Sequence, residues 1–349
     1  MNTARRRFPR TLQRSNDMAS KQIRVIQFGL GPIGAGVARA VAARRNLRIV
    51  GAVDIDPAKV GKDVGQFIGL ERALGIKISD DAAKTLTRKA DVVMHCTSSS
   101  LATVEPELAA ILRARHNVVS TCEELSMPEA TPGGAKIAKR LDALAKKYGV
   151  TVLGTGINPG FMMDTLPLVL TGVCQEVTSV RVRRVVDASK RRKPLQAKIG
   201  TGLTVEAFKQ KAGKSIRHVG LTQSIALIAR ALGWRLDQIE ETIEPVVASQ
   251  PVKTEFYDVA PGLVTGVEQF GYGIRDGRRV IELHLRMCVD AGESVDETWI
   301  DGKPPIHSVV TGVHGDLSTA AVATNCVRRV IAAAPGLVMM SDIPIVSAG

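Results

Sequence analysis

Aromatic residues are scarce in this chain, 3% of 349 residues, which argues against binding that stacks bases or sugars on rings. No apolar run approaches the roughly 18 to 20 residues that a membrane span needs, so no transmembrane segment is expected. The N-terminus lacks the apolar stretch of a secretory signal. Cysteine is limited to five scattered positions, Cys96, Cys122, Cys174, Cys288 and Cys326, with no C-x-x-C pair and no histidine cluster at ligand spacing. A reducing compartment, the cytoplasm, and no metal site are therefore expected. Cys122 has no Cys-His arrangement around it and reads as a small buried residue rather than a nucleophile.

A hydrophobic content of 45% and a charged content of 23% are those of an ordinary folded protein, and the length predicts two domains. The formal net charge of +13 is unevenly placed. Residues 1–20 hold Arg5, Arg6, Arg7, Arg10 and Arg14, a basic tail without apolar periodicity that reads as disordered. Its composition is that of an organelle transit peptide or of an extension ahead of Met18. A second cluster, Lys190, Arg191, Arg192 and Lys193, reads as a solvated face or a phosphate-friendly edge, and no nucleic-acid partner is expected.

The apolar run Ile23 to Phe28 ends at Gly29-Leu-Gly31-Pro32-Ile33-Gly34, and an Ala-rich, helix-prone segment follows. A second run, Leu47 to Val53, ends at Asp54, 20 residues beyond the last glycine of the turn. This is the strand, glycine turn, helix and distant acid of a dinucleotide fingerprint. Gly29 is expected to make the turn, Gly31 to let the pyrophosphate approach, Gly34 to pack helix on strand, and Asp54 to meet the adenosine ribose. Asp54 favours NAD over NADP, whereas Lys59 and Lys62 nearby suit a 2′-phosphate.

Further strands are predicted at Asp91 to Cys96, Asn117 to Ser120 and Val150 to Gly154, alternating with helices. The expected fold is α/β: a Rossmann-type doubly wound parallel sheet, residues 21–156, plus a second α+β domain with an open sheet, residues 157–317, for substrate and dimerisation. Strands are expected there at Val177 to Val186, Val252 to Val259 and Val280 to Val289. Residues 318–349, a helix from Ser318 and a tail, are expected to pack back on the first domain. One face of an open sheet needs a cover, which favours a homodimer.

Ligands in such sheets lie beyond the carboxyl ends of the strands. Those ends carry Thr97 and Ser98, then Thr121-Cys-Glu-Glu124, then Thr155 to Phe161 with Asn158. Thr97, Ser98 and Asn158 are cofactor candidates. Glu123 and Glu124 are the candidate proton carriers, since side chains adjacent in an extended terminus point opposite ways and one can face the cleft; both could equally be helix-initiating acids. Phe161 and His314 are candidate substrate contacts, and a capping role for His314 is the alternative. His218, His284 and His307 have no comparable setting.

Four stretches carry a resemblance: Ser120-Thr-Cys-Glu-Glu-Leu125, Gly154-Thr-Gly-Ile-Asn-Pro-Gly-Phe-Met-Met-Asp164, Pro194-Leu-Gln-Ala-Lys-Ile-Gly200 and Gly312-Val-His-Gly-Asp-Leu-Ser-Thr-Ala-Ala321. From about Ile23 to the C-terminus the chain resembles the 2,4-diaminopentanoate dehydrogenases and native amine dehydrogenases, which share the architecture of dihydrodipicolinate reductase. The resemblance implies NAD(P)-dependent oxidative deamination of an amine, or reductive amination of a ketone with ammonia. It also implies a cleft glutamate that handles the amine proton, falling on Glu123 or Glu124. The paired-histidine motif of dihydrodipicolinate reductase itself is absent. The shortage of aromatics favours a polar pocket suited to a diamino acid. The competing expectations are a non-catalytic dinucleotide sensor and a reductase of the same architecture acting on a cyclic imine or hydroxy substrate.

Overall fold

A strand buried on both faces reads as a continuous apolar run rather than an alternating one, and the first strand, β1 (Ile23–Phe28), is such a run with Val25 and Ile26 wholly buried. The computed structural model describes residues 22–348; the basic tail at residues 1–20 lies outside them. β1 leads through the glycine turn to helix α1 (Pro32–Ala42) and β2 (Leu47–Val53). The short helix α2 (Val64–Phe67), β3 (Ile78–Ser79) and α3 (Ala82–Leu86) follow. Next come β4 (Val92–His95), α4 (Leu101–Arg113), β5 (Asn117–Ser120), α5 (Gly134–Tyr148) and β6 (Thr151–Gly154).

All pairings among these strands are parallel, and the sheet order is β6-β5-β4-β1-β2-β3. The order reverses between β1 and β4, so the crevice that receives a ligand opens at the carboxyl ends of those two strands. Two apolar layers flank the sheet, one holding Val37, Ala38 and Val41 of α1, the other Val104, Leu108 and Ile111 of α4 with Leu141 of α5.

After helix α6 (Thr165–Thr171) comes β7 (Glu176–Asp187), then the helices α7 (Lys193–Lys198), α8 (Val205–Lys211) and α9 (Leu221–Ala231). The strands β8 (Gln238–Val247), β9 (Val252–Lys253), β10 (Asp258–Val259), β11 (Val264–Arg275), β12 (Arg278–Cys288), β13 (Val295–Lys303) and β14 (Ile306–Thr311) complete the second domain. Its six-stranded sheet runs β14-β13-β7-β12-β11-β8, parallel at β7–β12 and antiparallel elsewhere. The strand expected at Val252 to Val259 is instead a tight two-residue ribbon of β9 and β10.

β8 and β11 escape the sequence pattern, because Pro245 interrupts one and Gly266, Gly271 and Gly273 the other. The glycines have a packing reason: a Cβ on Gly271 or Gly273 would lie 2.8 or 2.9 Å from Ile225 of α9. Helix α9 thus sits directly on the β11 backbone and covers one face of the sheet with Leu221, Ile225 and Ile228. The other face carries Phe270 stacked on Tyr272 and on His284, Trp299 stacked on His307, and Arg181 over Trp299.

The chain then returns to the first domain. Helix α10 (Gly315–Ala332) packs with α1 through Ala320, Ala323 and Val327, and β15 (Gly336–Val338) pairs in parallel with β6 as a seventh strand. The helix starts three residues before the expected Ser318 because His314 caps it, its Nδ1 accepting the Leu317 N–H at 3.4 Å. β15 was not expected, being three residues directly behind Pro335. Among the described residues no helix is long and apolar enough to cross a membrane.

Candidate active site

The glycine turn shows three glycines held for three reasons. Gly29 has φ +85°, and a Cβ there would lie 2.4 Å from the Cys96 carbonyl oxygen. A Cβ on Gly34 would lie 2.1 Å from the Gly29 carbonyl oxygen, so α1 packs on the turn only without one. Gly31 differs: its φ is an ordinary −63°, and a Cβ would meet nothing within 4 Å. It opens onto free space at the start of α1, whose first turn has no side-chain cap. A cradle of this shape, with the positive end of a helix behind it, fits a dinucleotide pyrophosphate.

Asp54 follows β2 and is buried. Its Oδ2 accepts the Leu30 N–H at 2.7 Å and a Lys59 Nζ proton at 3.1 Å, while Oδ1 accepts the Asp56 N–H at 2.9 Å. Burial alone would raise this carboxyl, but the Asp56 and Leu30 amides and Lys59 outweigh it and hold it below the usual carboxylate range. Asp54 therefore braces the glycine turn to the second strand, and it stays charged.

A cleft of about 310 Å³ runs between the two domains beyond the strand ends. Gly31, Pro32 and Ile33 line it behind β1, Thr97 and Ser98 behind β4, Glu123 behind β5 and Asn158 behind β6. Asn158 is 7% exposed, and neither atom of its side-chain amide has a hydrogen-bond partner in the protein. An unpaired buried amide costs on the order of 1–3 kcal/mol, so a ligand that pairs with it, as a carboxamide does, suits this position. Thr97 is fixed by donating its hydroxyl to Glu107 Oε2 at 2.6 Å, and that same oxygen lies 2.8 Å from Nε2 of the buried His95.

The two adjacent glutamates separate. Glu124 turns to the first helical residue of α4, accepting the Leu101 N–H at 2.7 Å, with Arg217 4.0 Å away. Glu123 lines the cleft, and burial pushes its carboxyl above the usual range against the opposing pull of Ser99 and Lys198. Just before them in the chain, the Cys122 thiol is driven up to about 12 by burial, which makes it inert as a nucleophile.

From the second domain, Arg184, Lys198 and His218 reach the cleft. Arg184 is buried and paired with Asp296 at 2.6 Å. Burial, with Lys198 and Arg184 near, pushes the His218 imidazole down to about 3, so the ring is neutral at physiological pH. None of the three is among the site candidates that the sequence offers. Lys198 lay within one of the recognisable stretches, but His218 had no local signal, since what places it is a pair of hydrogen bonds between its backbone and the buried Gln269. Phe161 and His314 are not brought to the cleft lining: Phe161 packs against the core of the first domain, and His314 is an exposed helix cap.

The fold and the cleft together define a two-domain dehydrogenase of Rossmann type, a nucleotide sheet facing a separate substrate sheet. Comparison with known proteins narrows this. The family model of the 2,4-diaminopentanoate dehydrogenase C-terminal domain matches residues 161–349, and that of the dihydrodipicolinate reductase N-terminus matches residues 23–123. A 2,4-diaminopentanoate dehydrogenase of Acetoanaerobium sticklandii is 34% identical over 93% of this chain and 94% of its own length. An amine dehydrogenase of Streptomyces virginiae is 27% identical over 93% of this chain and 96% of its own. The solved structure of an amine dehydrogenase from Mycobacterium smegmatis superposes with a TM-score of 0.82 at 26% identity, covering 94% of this chain and 98% of that one. The chain belongs to the 2,4-diaminopentanoate dehydrogenase family.

Proposed function

We propose that this protein is an NAD(P)-dependent amine dehydrogenase, catalysing oxidative deamination of an amine or diamino acid and, in reverse, reductive amination of a ketone with ammonia. The observation that carries this reading is Glu123, a half-buried carboxylate with a raised pKa at the end of β5, in the cleft that the glycine turn opens. The nicotinamide supplies the hydride acceptor. Asn158 matches its carboxamide, Thr97 and Ser98 line its approach, and Gly29, Gly31 and Gly34 shape the phosphate end with Pro32 and Ile33.

Ionised Glu123 holds the substrate ammonium by charge, and it takes the proton that must leave nitrogen before the C–H bond can yield its hydride. The raised pKa brings the carboxyl nearer neutrality, which makes it a better proton carrier in both directions. Glu123 then releases that proton to solvent, and the carboxylate so restored takes a proton from the water that attacks the iminium carbon. His218, neutral, adds no competing positive charge beside the ammonium.

We infer a preference for NAD, since the charged Asp54 stands at the ribose end of β2 and repels a 2′-phosphate; Lys59 is already committed to Asp54. We also propose a homodimer, its interface the sheet face opposite α9. The test of function is an assay over amines with each oxidised nucleotide and over ketones with ammonium and each reduced nucleotide. Nucleotide oxidation that requires both ketone and ammonium is expected. Oxidation of the reduced nucleotide on ketones or imines without ammonium would make this a different reductase, and nucleotide binding without turnover on any of them would make it a sensor.

A further inference from the structure

The basic cluster at Lys190 to Lys193 has no part in the function so far described, yet two of its members line the cleft. Arg191 is nine-tenths buried, and its Nη2 donates to Asp316 Oδ1 at 2.7 Å; Arg192 stands 3.8 Å from Asp316 Oδ2, and its buried Nε has no hydrogen-bond partner. Asp316 lies in the first turn of α10. The Arg191 guanidinium lies so close to that helix start that a Cβ on Gly315 would be 3.0 Å from its Nη1.

Helix α10 runs beside α1 in the same direction. A Cβ on Gly36 would lie 3.8 Å from that of Ala320, and further along Arg44 bonds Asn325. Gly36 is four residues into its helix after Pro32, and Ala320 is five after Gly315, so at about 1.5 Å per residue the two N-termini lie side by side. Two helix dipoles thus present their positive ends together, and Gly31 lines one cleft with the two arginines. Both arginines share one carboxylate within 4 Å, Asp316, while Arg184 nearby has its own in Asp296. Burial, with Arg192 and Arg184 close, pulls the Arg191 guanidinium below its ordinary pKa in spite of Asp316.

We propose that Arg191 and Arg192 form the second wall of the dinucleotide's pyrophosphate site, Asp316 standing in for the diphosphate until the nucleotide enters and takes the guanidinium groups. Nucleotide binding then exchanges one anion for another at the two guanidinium groups, and the segment after β7 walls the cleft from the side of the second domain. The inference rests on the dinucleotide reading given above.

The test is titration of the full chain with NADH and NADPH, followed by nucleotide fluorescence, alongside adenosine as a ligand without phosphate. Arg191→Gln and Arg192→Gln are each expected to weaken the reduced nucleotide about 10-fold or more, the worth of a charge-assisted hydrogen bond. They should also flatten the salt dependence of binding and leave adenosine affinity unchanged. Arg191→Lys, which keeps the charge, should recover part of the loss. Asp316→Asn is expected to tighten nucleotide binding severalfold, because nothing then competes for the arginines. The proposal is overturned if the arginine variants bind nucleotide within twofold of the parent, if they change only the KM for the amine, or if Asp316→Asn weakens binding as they do. If the parent protein binds neither nucleotide, the dinucleotide reading itself fails.

Discussion

At the scale of single residues, Glu123 and Glu124 follow one strand end and point apart, so the same chemical group meets two environments. Glu124 satisfies a backbone N–H at the start of α4, while Glu123 is left in a cleft where ionisation is costly. Glu123→Gln should lower kcat about 10²- to 10⁴-fold with the Kd for nucleotide nearly unchanged, measured by steady-state kinetics and NADH titration. Glu124→Gln keeps an acceptor for Leu101 and loses only the charge near the helix dipole, about 0.3–1 kcal/mol of stability, with turnover largely kept. Near-normal rates in both variants would refute the assignment.

The same residue makes a pH prediction. Its folded-state pKa is raised, so the folded chain holds the Glu123 proton more tightly than the unfolded chain, and stability falls as pH rises through that window. Glu123→Gln removes this loss. Its Tm should exceed that of the parent at neutral pH, and the gain should vanish below about pH 4, the ordinary carboxylate range, where the parent is protonated in both states. Asp54 has the opposite sense, charged and held below its usual range. Asp54→Asn removes the charge and keeps one acceptor oxygen, enough for the Leu30 or the Asp56 N–H but not both, and it should raise KM for NAD and lower it for NADP; constants that move by less than about threefold, under 1 kcal/mol, would mean that Asp54 does not meet the ribose.

At the scale of elements, the glycine turn joins a strand to a helix at a separation that only missing side chains allow. Gly34→Ala would drive a methyl into the Gly29 carbonyl at 2.1 Å, with backbone on both sides of the clash. The turn must shift, and a large loss of Tm together with nucleotide affinity is expected. Gly31→Ala meets nothing in the protein and needs no unusual φ, so the melting temperature should hold within a few degrees while nucleotide affinity falls, the methyl standing where the pyrophosphate approaches. Equal effects in the two variants, read by calorimetry and titration, would show that Gly31 has no ligand-facing role.

At the scale of the whole molecule, the second sheet has one face under α9 and another that carries Phe270, Tyr272, Trp299 and three basic or acidic pairs. Arg183 pairs with Glu297, and His284 and Arg286 with Glu268, so the face holds both signs of charge and can meet a copy of itself about a twofold axis. Sedimentation equilibrium should give twice the chain mass. Phe270→Asp and Trp299→Glu, which bury a charge in that interface, should shift the protein toward monomer; an unchanged mass in both variants would place any association elsewhere.

What the sequence by itself determined is local in origin. A β-branched run, three glycines at fixed offsets and an acid 20 residues on describe one continuous piece of backbone, so the glycine turn was legible, and the longer strands and helices up to Gly154 followed from periodicity, whereas the short α2, β3 and α3 did not show in it. The tertiary structure decided what depends on residues distant in the chain. Leu101 N–H, not any neighbour in sequence, claims Glu124 and leaves Glu123 to the cleft. Gln269 on β11 places His218 there. The three residues of β15 form a strand only because β6 offers them an open edge. Arg191 and Arg192 read in the sequence as surface charge, and they acquire a ligand's geometry only when α1 and α10, almost 300 residues apart, bring their positive ends together beside them.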